Sequence, residues 1–232
     1  MATVYVFLLS DLLKGSSMSE NAVRELPENY GLRHTLDLNK NVKLAIILNL
    51  ASLVCFVVFG VLFYWLLSLI RPGLIFGGQF LSSGLLVSES AWLQFLVIVL
   101  VYMGMIVLHE AVHGIFFWVY TRERPKFGFK GLYAYAGAPD WYLGKTPYLM
   151  VGTAPMVLIS LAGFAAMLLA PPEWVFPILL FITLNASGAV GDIYAFFWIA
   201  PKPAGILVRD FGDRMQVFSP GEPPGGGEST GE

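Results

Sequence analysis

The chain has 232 residues, 56% of them hydrophobic and only 13% charged, with a net charge of −2. An average soluble domain is about 25% charged, so this is the composition of a membrane protein, and the slight acidic balance gives no basis for a nucleic-acid partner. The single cysteine, Cys55, lies in an apolar run and reads as a small buried hydrophobe, which leaves no disulfide framework.

Along the chain, residues 1–41 mix polar and apolar character. The opening "MATVYVFLLSDLL" lacks basic residues and is interrupted by Asp11, so it is not expected to be a cleaved signal peptide. The following "SSMSENAVRELPENYG" is loop-like and has room for a short helix on the membrane surface. Charge then disappears from Leu44 to Ile70, from Ser90 to Leu108 and from Pro147 to Pro172, and Trp174 to Ile199 carries one charge, Asp192. Each run can cross a hydrocarbon core of about 30 Å as a helix, which predicts helices at 42–70, 90–120, 147–170 and 174–200. Pro147 and Pro155 bracket the start of the third, and "TAPM" is expected to kink or begin it.

Between the second and third spans, "KFGFKGLYAYAGAPDWYLG" alternates Phe127 and Phe129 with Gly128, and Tyr133 and Tyr135 with Ala134 and Ala136. With Lys130–Gly131 as the turn, this predicts a small β-hairpin or a re-entrant aromatic segment, whose free edge suits strand addition by an extended peptide. The tail from Ser219, rich in Gly, Pro and Glu, is expected to be disordered over 219–232. The expected architecture is an all-α membrane protein: a cytoplasmic segment 1–41, a four-helix transmembrane domain 42–218 with its core at 90–200, and the tail.

Basic residues orient the spans. Arg24, Arg33, Lys40 and Lys43 precede the first, Arg71 alone follows it, and Arg122, Arg124, Lys126, Lys130 and Lys145 fill the segment between the second and third. None joins the third to the fourth, and Lys202, Arg209 and Arg214 come after. Positive residues stay on the cytoplasmic side, so both termini and the hairpin segment are expected there.

The second span ends in "VLHEAVHG", residues 107–114. His109 and His113, four apart, share one helix face, and the stretch fits H-E-x-x-H, in which two imidazoles hold zinc and the glutamate, here Glu110, acts as base toward the water the ion activates. A lone histidine on an apolar face is usually a satisfied core residue, and a terminal glutamate can snorkel to water. Two histidines flanking a glutamate at this spacing favour a metal site, because a charged group at mid-bilayer costs roughly 2.5–3.5 kcal/mol. His34, outside the spans, reads as an ordinary surface residue.

A catalytic zinc site has three protein ligands, and Asp192 is the candidate for the third. His109 lies 17 residues past Trp92 and Asp192 lies 18 past Trp174, so both reach about 25–27 Å along their helices from interfacial tryptophans. Small residues in "NASGAVGD", with Gly104, Ala111 and Gly114 opposite, permit close approach. Asn185, two turns before Asp192, suits either a hydrogen bond to substrate or its oxyanion, or one between helices.

"HEAVH" in a second span and "NASGAVGD" in a fourth resemble the site-two protease group of intramembrane metalloproteases and, more closely, a bacterial and archaeal membrane family of zincin-type peptidases, over about residues 90–200. The resemblance implies Zn2+ held by His109, His113 and Asp192, Glu110 as base and Asn185 as the motif asparagine. It also implies a membrane-embedded sheet after the motif helix, a peptide or membrane-protein substrate, and a prokaryotic plasma membrane. The chain departs from the site-two pattern at three points: Gly188 replaces a proline, Asp192 comes one residue early, and Ile193 replaces a glycine. The expected function is a membrane-embedded zinc peptidase. The alternatives are a divalent-metal transporter, disfavoured by charge-free first and third spans, and a catalytically silent zinc scaffold.

Overall fold

A computed structural model of the protein describes residues 22–221 apart from 39, 78–79, 81–89, 130–133 and 213. The apolar runs are helical, as they must be where no water is present to satisfy backbone N–H and C=O groups. Helix α1 is Val42–Ile70, followed by the short α2, Pro72–Phe76; α3 is Ala91–Thr121; α4 is Lys145–Leu169; α5 is Pro172–Gly188 and α6 is Val190–Ile199. Four stretches, 42–70, 91–121, 145–169 and 172–199, are long and apolar enough to cross a membrane. Their outward residues are correspondingly bare: Leu53, Val61 and Val107 are each about two-thirds exposed, a surface suited to lipid and not to water.

The proline-rich third run starts earlier than expected. Helix α4 begins at Lys145, so Pro147 falls in its first turn, where a missing N–H costs little, and Pro155 lies in the interior. The fourth run is two helices. The Ala189 N–H bonds the Asn185 carbonyl at the end of α5, and α6 then opens at Val190. Asp192 thereby falls in a first helical turn, where the backbone dipole favours negative charge.

The expectation of an all-α protein is corrected by strands. Strands β1 (Ala22–Val23), β2 (Tyr30–Asp37), β5 (Tyr142–Gly144), β6 (Leu207–Asp210) and β7 (Arg214–Pro220) form an antiparallel sheet in the order β1-β5-β6-β7-β2. β2 lies along β7 from Tyr30 opposite Pro220 to Asp37 opposite Arg214, with an irregularity between Leu32 and His34. Leu143, Val208 and Val217 are fully buried in it. The described part of the segment read as loop or surface helix is therefore β1, a connecting turn and β2. β7 also continues past Ser219 to Pro220, and residues 222–232 of the expected tail lie outside the described residues.

The hairpin segment forms a separate antiparallel pair, β3 (Lys126–Phe129) with β4 (Ala134–Gly137), in register from Lys126 opposite Gly137 to Phe129 opposite Ala134. Its proposed turn at Lys130–Gly131, and Tyr133, lie outside the described residues. Gly114 gives β3 its seat, since a Cβ there would come within 2.5 Å of the Phe127 ring.

The chain divides into two compact units. Met1–Asn41, Gly114–Val151 and Phe197–Glu232 make one, which holds both sheets; Val42–His113 and Gly152–Phe196 make the other. In the helical unit, Phe63 and Leu67 of α1 pack with Met167, Val175, Leu179 and Ile182. Arg71 closes one end by donating to the carbonyls of Met167 (3.1 Å) and Ala170 (2.6 Å), satisfying acceptors left over at the C-terminus of α4.

Candidate metal centre

Every residue of the candidate site belongs to the helical unit. Helical periodicity stacks His109 and His113 on one face of α3, their ring centroids 4.8 Å apart at 75°, and both side chains are buried. From the first turn of α6, Asp192 brings Oδ2 to 3.1 Å from His109 Nε2 and 3.4 Å from His113 Nε2. The two Nε2 atoms are 3.2 Å apart. Among the described residues, the group whose ligand atoms converge is His109, His113 and Asp192.

Zinc is bound by nitrogen and oxygen at about 2.0–2.2 Å in tetrahedral sites, so two donors sharing one ion stand about 3.3–3.5 Å apart. The three separations of 3.1, 3.2 and 3.4 Å approach that triangle with little adjustment. Two imidazoles and one carboxylate are also a donor set that catalytic zinc uses, leaving a fourth position for water or substrate. The residues present fit the ion.

Asn185, in the last turn of α5, is fully buried. Its Oδ1 lies 2.9 Å from His109 Nδ1, and its Nδ2 donates to the Pro155 carbonyl of α4 at 3.2 Å. Both ends of the amide are engaged, and the bonds tie together three of the long apolar stretches. Glu110 is half-buried, one residue along α3 from His109 and thus about 100° around the helix from it. His34 is exposed in the sheet-bearing unit, with its ring 6.2 Å from that of Trp198.

Small residues do bring helices together, at partly different positions from those expected. A Cβ on Gly104 would touch Phe181, and one on Gly188 would touch Met105, so α3 and α5 are in contact there. Gly191 faces open space, and Gly114 admits Phe127 in place of a helix. A much tighter approach between helices lies at a glycine outside those stretches: a Cβ on Gly163 of α4 would collide with the fully buried Ile182 of α5. The role of the Pro155 carbonyl was hidden, because every residue carries a carbonyl and none advertises it.

Long apolar helices carrying two buried histidines and a partly buried carboxylate whose ligand atoms converge define a protein consistent with integral membrane placement, with a group that could hold a metal ion. Residues 102–207, just under half of the chain, match a protein family described as "Putative zincin peptidase", and that stretch contains His109, Glu110, His113, Asn185 and Asp192. The match supports a zincin-like metallopeptidase and, with it, zinc as the ion. No curated protein and no solved structure matches the chain.

Proposed function

We propose that the protein is a zinc-dependent peptidase of the site-two protease type, embedded in a prokaryotic plasma membrane and cleaving membrane-associated peptide or protein substrates. The observation that carries this reading is the triangle of donors at 3.1, 3.2 and 3.4 Å, assembled from two helices far apart in sequence. His109, His113 and Asp192 would hold the ion. Zinc bound there lowers the pKa of water toward neutrality and polarises the carbonyl under attack. Glu110 takes the proton of the attacking water and passes it to the departing amine. The distribution of arginine and lysine favours cytoplasmic placement of both termini and of the β3–β4 hairpin.

Glu110→Gln tests the assignment, because it keeps the size of the side chain and removes its basicity. In detergent-purified protein supplied with zinc and a quenched fluorescent peptide pool, the variant is expected to bind zinc as the native chain does while hydrolysis falls to background, a loss of at least about 100-fold. Hydrolysis that survives the substitution, or zinc flux into liposomes that survives it, contradicts the proposal; the second result favours transport.

A further inference from the structure

We infer that Asn185 is the positioning residue of the metal centre, transmitting the polarity of the Pro155 carbonyl to the His109 ring and so fixing which ring nitrogen faces the ion. The inference deepens the zinc-peptidase reading and rests on it. Three groups are linked donor to acceptor. A main-chain carbonyl only accepts, so the Asn185 amide end 3.2 Å from Pro155 O must be its NH2. The other end, Oδ1, is therefore the one 2.9 Å from His109 Nδ1. A carbonyl oxygen accepts, so Nδ1 must carry the proton. In neutral imidazole that leaves a lone pair on Nε2, the nitrogen 3.1 Å from Asp192 Oδ2 and 3.2 Å from His113 Nε2.

Nε2 of His109 and the Asp192 carboxylate are thus two acceptors 3.1 Å apart, an arrangement relieved by a cation between them or by an N–H on His113 Nε2, which lies 3.2 and 3.4 Å from them. Without Asn185 the ring has no reason to prefer this tautomer, since Nε2–H could donate to the carboxylate and turn the metal-binding nitrogen into a donor. A hydrogen bond to the far nitrogen of a ligating histidine typically carries a 10- to 100-fold effect on metal affinity. Full burial of Asn185 strengthens the selection, because no water can replace the amide.

The experiment reads the ring directly. Full-length protein labelled with 15N-histidine, stripped of metal and held at alkaline pH so the ring is neutral, is examined by 15N NMR, with the His109 signals assigned by comparison with His109→Gln. The native chain is expected to show His109 protonated at Nδ1, Asn185→Leu to lose that preference, and Asn185→Asp, which keeps the acceptor, to retain it. In parallel, Asn185→Leu is expected to bind zinc 10- to 100-fold more weakly, with Asn185→Asp recovering most of the loss. Native His109 protonated at Nε2 in the metal-free protein overturns the inference even if the leucine variant fails to fold. Native affinity and tautomer in a folded Asn185→Leu overturn it as well. Native protein that takes up no zinc overturns the peptidase reading, a result separate from the tautomer measurement, which is made without metal.

Discussion

Gly212 shows how much a single residue can decide. It sits at φ +89° in the turn between β6 and β7, its N–H bonds Asp210 Oδ1 at 2.6 Å, and a Cβ on it would run into the Tyr135 ring. Gly212→Ala adds backbone strain to a steric clash, and a loss of about 1–3 kcal/mol is expected, measured as a lower midpoint of denaturation; native stability in the variant would contradict the turn geometry. At the same scale, His109 and His113 were legible in the sequence because a spacing of four is one helical turn, and Asp192 because it is the lone charge of its run. Asn185 was visible by type and position but not by partner. Its bonds run to a ring nitrogen and to a main-chain carbonyl, and the second leaves no trace in side-chain identity.

Between elements, α4 comes very close to α5 at Gly163. Ile182 is β-branched and fully buried, so it has little freedom to retreat from a methyl group placed on Gly163, whereas Gly152 of the same helix has open space around it. Overpacking typically costs about 1–3 kcal/mol, and glycine to alanine in an open helical position gains about 0.5–1 kcal/mol. Gly163→Ala is therefore expected to lower the thermal midpoint and Gly152→Ala to leave it unchanged or raise it; the reverse order would contradict the helix pairing. Helix limits were legible because absence of charge over a bilayer's thickness is a strong signal. The large sheet was not, because β1 and β5 have only 2 and 3 residues and β2 finds its partner β7 across most of the chain, a pairing no local pattern encodes. Within it, β6 and β7 are the pair joined by a short turn, at Gly212. The interruption at Ala189 was hidden by the continuous apolar character of 174–200, yet it places Asp192 at a helix start.

For the whole molecule, the two compact units divide the labour of the sequence: the sheet-bearing one holds most of the charges that follow or precede the spans, and the helical one holds the apolar spans and the cluster of His109, His113 and Asp192. An ion in that cluster would cross-link α3 to α6, and a ligand bound only by the folded chain at 100 times its Kd adds about 2.7 kcal/mol of stability. The three-ligand centre depends on that cross-link. Zinc per chain, measured by plasma mass spectrometry on detergent-purified native protein beside His109→Ala and Asp192→Ala, tests it most directly. About one equivalent is expected in the native chain and close to none in either variant. An Asp192→Ala protein that is folded and retains the native zinc content would contradict the three-ligand centre.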